Sequence, residues 1–294
     1  MYDINIKNKI FKTMKKKIDE KKKKCSNWFF ELRDIICLEL EKIEGSKKFK
    51  RKKWKRDING TDKYGGGEMS LLRGDLFEKA GVNISTVHGP ISKELKGKIP
   101  GSEKINQFWA SGISVVVHPF SPKIPAIHMN TRFIVTKKSW FGGGTDITPS
   151  NFNSGSSKRL AKFFHTQLSQ TCEKSKKGSY KKYKKWCDEY FFLPHRNEPR
   201  GLGGIFYDYL DSGNWENDFC FTKKVGETFI DSYKKIVKQT KNLKWNDKDK
   251  NLQLFRRSRY AEFNLLHDRG TKFGLQTNGN IEAIFMSLPP NTGW

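Results

Sequence analysis

Acidic residues are scarce: 31 Asp and Glu stand against 57 Lys and Arg, a formal charge of +26 over 294 residues. No run of about 18 or more apolar residues occurs, so no helical membrane span is expected. The N-terminus carries Lys but no apolar core ending in a small-residue cleavage site, so no secretory signal is expected. The five cysteines (Cys25, Cys37, Cys172, Cys187, Cys220) are odd in number and show no CxxC spacing. They read as free thiols in a reducing cytoplasm, which excludes a disulfide framework or a cysteine zinc site. Internal repeats, a P-loop and a dinucleotide fingerprint are all missing, so neither flavin nor NAD is expected.

The charge excess alone would suit nucleic acid, a membrane surface or an acidic ligand. Its distribution weakens the nucleic-acid alternative: Lys recurs over several helical surfaces rather than one stripe. Tyr180, Tyr183 and Trp186 interleave with Lys as a nucleic-acid binder would have them. The acidic groups in segments 142–149 and 195–200 would repel phosphates.

What is present is a core supply, 35% hydrophobic with 22 Phe and 8 Trp, and one organising stretch, 114–149. An apolar strand at 109–117 leads to His118 and a Pro-rich connection too long for a tight hairpin. In the strand that follows, alternation puts His128, Asn130 and Arg132 on one face and Met129, Thr131 and Phe133 on the other. Imidazole, amide and guanidinium in a row are costly to bury without partners, so they read as the floor of a site for an anion.

Elsewhere the pattern predicts a frayed Lys-rich helix over 1–24 and a helix over 26–44 capped by Ser26. It predicts a charged loop or short strand around Trp54, and a turn or close backbone approach at Gly65–Gly66–Gly67. A linker is expected at 89–107 and a loop at 142–149. Helices are expected at 151–172, 180–190 and 219–243, with strands at 131–137 and 205–209. Alternation over 260–266 predicts a strand, 268–271 a turn, and 273–276 with 281–288 a hairpin around Asn278–Gly279. Scarce βαβ units and many hairpin-linked strands indicate an α+β fold, a large flat mostly antiparallel sheet flanked by helices on both faces.

The segments SVVVHP, HMNTRF, WFGGGTDITP, KKWCDEYFFLPHRNEPRGLGGIFYD, YAEFNLLHDRGTKFGLQT and MSLPP resemble the oxygen-dependent coproporphyrinogen III oxidases. The resemblance runs from about Trp28 to Trp294. It implies a homodimeric cytoplasmic enzyme of haem biosynthesis, a single domain over 26–294 behind a Lys-rich extension over 1–25, with 260–294 used for dimerisation. The implied reaction is aerobic oxidative decarboxylation of the ring A and B propionates of coproporphyrinogen III to vinyls, with O2 as co-substrate and no haem, flavin or NAD. Ser114, Asn130, Thr131, Arg132, Asn278, Gly279 and Asn280 match substrate contacts, with Asn280 standing where many members carry Arg. His128 matches a proton donor, and Asp268 and Arg269 a catalytic pair beside the substrate. His118, His128, His165 and His195 match ligands assigned to a divalent metal, although they lack local metal-ligand spacing and His165 also reads as a structural histidine. Behind Arg132 and Arg269, the candidates for carboxylate binding are Arg196, Arg200 and Arg259. An inactive family member is the remaining alternative.

Overall fold

The structure, a computed structural model, describes residues 2–58, 60–91, 96–97, 99–103 and 105–294, without the side chains of 2–12 and 14. Part of the expected linker at 89–107 therefore lies outside the described residues.

One helix, α1 (Tyr2–Glu44), joins the two expected helices, the Lys-rich one over 1–24 and the capped one over 26–44, without a break. Nothing in 2–44 is Gly or Pro, so no residue interrupts it. Ser26 is not a cap; its Oγ donates to the Lys23 carbonyl at 3.2 Å inside the helix. Cys25, Phe29, Leu32, Ile36 and Leu40 are buried at helical steps of three and four, while Ile35 faces solvent. Gly45, at φ 96°, ends the helix in a left-handed conformation that glycine adopts freely.

The chain then builds a sheet: β1 (Lys50–Lys55), β2 (Gly65–Leu72), β3 (Lys79–Pro90), β4 (Gln107–His118), β5 (Ala126–Val135) and β6 (Ser139–Thr148). After α2 (Gly155–Ser175), α3 (Ser179–Tyr190) and the two-residue strands β7 (Phe192–Leu193) and β8 (Glu198–Pro199), the strand β9 (Gly204–Leu210) closes it. The spatial order is β1-β2-β3-β4-β5-β6-β9, with every neighbouring pair antiparallel. The chain ends in α4 (Trp215–Thr240), α5 (Asp247–Leu266), α6 (Arg269–Gln276) and α7 (Ile281–Phe285).

Both glycine runs lie in strands. Gly142–Gly143–Gly144 is not a loop but the middle of β6, where β9 passes so close that a methyl at Gly144 would run into the Ile205 carbonyl. Gly65–Gly67 is close backbone approach, the second of its two expected readings. The C-terminal expectations of strands are also overturned. Residues 260–266 end α5, 273–276 lie in α6 and 281–285 form α7. The alternation misled because α5 buries charged residues, Arg257, Arg259 and Glu262, alongside Tyr260, Ala261 and Phe263. Asn278, at φ 54°, does turn the chain, but between two helices.

The sheet is covered on both sides. Val115, Met129, Phe133 and Ile147 pack on one face with Leu32 and Ile36 of α1, Phe164 of α2, and Phe229 and Tyr233 of α4. The other face meets the C-terminal helices: Asn83 Nδ2 donates to the Ala283 carbonyl at 2.6 Å, and Met286 lies over Gly81. Among the described residues no helix is long and apolar enough to cross a membrane.

Candidate active site

Between that second face and α5–α7 lies a cavity of about 620 Å³. Register determines its floor. Gly112, Ser114 and Val116 of β4 stand opposite Arg132, Asn130 and His128 of β5. On the other side stand Gly142, Gly144 and Asp146 of β6. Paired residues share a face, so the long polar side chains of β5 rise between small neighbours.

Those side chains form one hydrogen-bonded line. His128 Nδ1 lies 2.8 Å from Asp146 Oδ1, Asn130 Nδ2 3.2 Å from His128 Nε2, and Arg132 Nη1 3.2 Å from Asn130 Oδ1. Arg132 Nη2 donates to Asp208 Oδ2 at 2.8 Å. Arginine can only donate, so Asn130 presents its oxygen to Arg132 and its amide N–H to His128. His128 Nε2 is then the acceptor, and the ring proton sits on Nδ1 against Asp146. To act as a proton donor to substrate, His128 must first take up a proton on Nε2.

Asp146 is anchored by Arg200, which sequence ranking placed only behind Arg132 and Arg269. Arg200 is 1% exposed. It donates to Asp146 Oδ2 and stacks on Phe191, Tyr260 and Phe263 at 3.8, 4.5 and 4.9 Å. Burial alone would raise the Asp146 carboxyl, but the charges and hydrogen bonds of Arg200 and His128 together outweigh it and hold the group below the usual carboxylate range.

Asp268 borders the cavity, but it is the N-cap of α6 rather than part of a free turn. Its Oδ2 accepts from Thr271 N at 2.7 Å and Thr271 Oγ1 at 2.8 Å, and its Oδ1 accepts from the Tyr190 hydroxyl at 2.8 Å. A carboxylate has about four acceptor positions, so one remains for a ligand donor. Arg269, next in sequence, lies over the Tyr190 ring at 4.9 Å.

Ser114, His128, Asn130, Arg132, Asp268, Arg269, Gly279 and Asn280 are thus brought to one cavity. Thr131 borders it, but its position in β5 turns its buried side chain to the core face. Asn280 caps α7 through Ala283 N at 2.9 Å. Asn278 is not among the lining residues. Of the cavity's other polar residues, Arg56 was not foreseen; Asp208, Tyr190 and Lys272 stand in the motifs but were given no role. The one signal for Asp208 was its place two residues beyond Phe206 in a strand leaving a Gly-rich turn.

The four histidines do not share a centre. His118 bonds the Ser287 carbonyl at 2.9 Å, and His165 bonds the Leu202 carbonyl at 2.8 Å and the Tyr180 hydroxyl at 2.9 Å. His195 bonds Glu262 at 2.8 Å and His267 at 3.0 Å, and His128 belongs to the line above. Among the described residues no three or more His, Cys, Asp or Glu stand where one ion could bind them. The imidazoles therefore do not fit a common metal.

Two of these contacts predict acid behaviour. The Arg196 fork, helped by His195 and Trp294 and against burial, pulls the Glu262 carboxyl down to about 2. Burial pushes the His118 imidazole down to about 3. Unfolding lets His118 bind a proton below about pH 6.5 and Glu262 below about pH 4.3, so stability falls as pH falls through both windows. Urea midpoints should decline from pH 6.5 downward. His118→Gln should flatten the upper part and Glu262→Gln the part between about 4.3 and 2; unchanged slopes in both variants would contradict the assignment.

Comparison with known proteins places this geometry. Residues 24–294 match the family model described as coproporphyrinogen III oxidase. The chain is 53% identical over 278 residues to the oxygen-dependent coproporphyrinogen-III oxidase of Rickettsia bellii (strain OSU 85-389), covering 92% of this chain and 96% of that protein. It is 54% identical over 280 residues to the protein of the same name from Rickettsia rickettsii (strain Sheila Smith), covering 92% and 97%. A match to nearly the whole length of such relatives, on top of the antiparallel sheet and its polar floor, means that the chain belongs to the coproporphyrinogen III oxidase family.

Proposed function

We propose that this protein is an oxygen-dependent coproporphyrinogen III oxidase of haem biosynthesis, acting in the cytoplasm. It converts the ring A and B propionates of coproporphyrinogen III to vinyls and yields protoporphyrinogen IX. The carrying observation is the charge of the cavity: Arg56, Arg132, Arg269 and Lys272 border it, against Asp208 and Asp268, while the buried Arg200 is paired with Asp146. That excess suits a macrocycle bearing four carboxylates, which guanidinium groups bind as forks.

Balanced per propionate, the side chain and O2 take up one proton and give a vinyl, CO2 and hydrogen peroxide. The protein need only bind, orient and move protons. Arg132 and Arg269 hold carboxylates, with Ser114, Asn130, Gly279 and Asn280 lining the same space. Asp268 uses its remaining acceptor position for a pyrrole N–H at the macrocycle's centre and polarises the ring toward O2. His128, lone pair on Nε2, takes a proton and returns it as CO2 leaves, with Asp146 stabilising the charged ring. No step passes through a metal, because the four histidines make four separate sets of bonds.

The unit acting is the domain over 26–294, although α1 runs unbroken across its lower boundary. The homodimer reading draws support from Leu265, Leu266, Leu275, Ile281 and Trp294, large apolar side chains left exposed between α5 and the C-terminus. Aerobic incubation with coproporphyrinogen III, with and without a chelator, followed by product chromatography, tests the function. Protoporphyrinogen IX should form equally in both. Product only without the chelator would restore a metal requirement, and none in either would sink the reading.

A further inference from the structure

One corner of the cavity is built at a cost in backbone strain. Between Tyr207 and Leu210 of β9 lie two residues, Asp208 and Tyr209, where β6 has only Gly142 between Phe141 and Gly143. This is a β-bulge. In a regular strand Asp208 and Tyr209 would point to opposite faces; here both border the cavity. Tyr209 pays for this with φ 54°, a left-handed conformation rare for a bulky side chain. Strain of this kind persists where the surrounding structure enforces it and clusters at ligand sites.

The bulge places three things together. Asp208 is aimed at Arg132, and Gly142 leaves the space for that pair: a Cβ there would lie 2.5 Å from Asp208 Oδ1 and 3.0 Å from Arg132 Cζ. Tyr209, 49% exposed, sets its ring beside Trp140 at 5.8 Å between centroids and 39° between planes. Trp140 lines the cavity and is 5% exposed, yet its indole N–H, like those of Trp28, Trp54 and Trp215, has no acceptor among the described residues. A buried indole donor ordinarily finds one.

We propose that this corner is a subsite for one propionate-bearing pyrrole. Tyr209 is its specificity-determining residue and offers its ring to the apolar face of the pyrrole. The Trp140 indole N–H and Arg132 take the carboxylate, and Asp208 keeps the guanidinium in place. The assignment rests on the substrate proposed above and adds which part of it binds here.

The test combines steady-state turnover with equilibrium binding of coproporphyrinogen III under nitrogen, where oxygen is withheld and no product forms. Tyr209→Gly suits the left-handed backbone, so the fold is kept, and the thermal midpoint should stay within a few degrees of wild type. Losing one aromatic contact should weaken nitrogen-phase binding and raise KM about tenfold, with kcat changed by less than about twofold. Tyr209→Phe should restore both, and Trp140→Phe, which removes the donor together with part of the ring, should raise KM severalfold. Unaltered binding in Tyr209→Gly, or a loss of kcat at unchanged KM, overturns the subsite. Wild-type protein that binds coproporphyrinogen III but never converts it overturns the oxidase reading instead, while the binding comparison still decides the subsite. Absence of wild-type binding overturns both.

Discussion

Asp268→Asn should fold as the wild type does and lose at least a hundredfold in turnover. Asn and Asp are comparable N-caps, so the bond from Thr271 N to the side-chain oxygen survives and α6 keeps its start. What disappears is the negative charge beside the remaining acceptor position. A positioned acid or base is worth about 10²–10⁴ in rate, and no second carboxylate of the cavity can replace it, because Asp208 is committed to Arg132. Asp268→Ala mixes two effects. It removes the same charge and also the cap, at about 1 kcal/mol, and it leaves the Tyr190 hydroxyl without its acceptor. A loss of activity in the alanine variant alone would therefore say little about chemistry. Near-normal turnover in Asp268→Asn, measured beside its thermal midpoint, would end the assignment of Asp268 to the pyrrole nitrogens.

The second large effect concerns stability. Arg200→Met should destabilise the protein by about 3–5 kcal/mol, because it strands the Asp146 carboxylate in an apolar interior. Asp146 is 2% exposed, and the hydrogen bond from His128 does not replace a full positive charge. Methionine can occupy much of the space among Phe191, Tyr260 and Phe263, so lost packing is the smaller part of the change. The double variant Asp146→Asn with Arg200→Met should recover part of the stability, since it buries no charge. It should not recover turnover, because a neutral Asn beside Nδ1 no longer stabilises a protonated His128. Urea unfolding of the two single variants and the double variant gives the coupling directly. Additive losses would mean that Arg200 and Asp146 act independently, against the geometry.

Local pattern was enough for the central strands. Alternation in 126–135 placed His128, Asn130 and Arg132 on one face, and the period of two leaves no other choice once the opposite residues, Met129 and Phe133, must be buried. The helices at 155–175 and 215–240 were equally legible, because each carries an apolar stripe of period 3.6 against the same core, while 179–190 places Cys187 in a second, smaller cluster. Motif resemblance pointed to the family, and through it to residues as far apart in the chain as Ser114 and Asn280 in one site, which no periodicity could have indicated.

Tertiary structure alone decided the rest. The glycines at 142–144 read as a loop because a glycine's own preference is for turns. Only the approach of β5 and β9 from either side shows why a strand needs them. Segment 260–266 read as a strand because its polar positions were assumed to face water. In the fold Arg259 and Glu262 are buried in each other's company and with Arg196 and Glu198, so polarity ceased to mark the outside. Four histidines grouped by resemblance alone were separated into four hydrogen-bond sets by strands and helices whose spacing the sequence does not contain. The sequence by itself determined which residues carry charge, which strand holds them and which family they belong to, since composition and period are local properties. Which of those charges neutralise one another, and which remain free to meet a ligand, depended on register and packing between segments far apart in the chain.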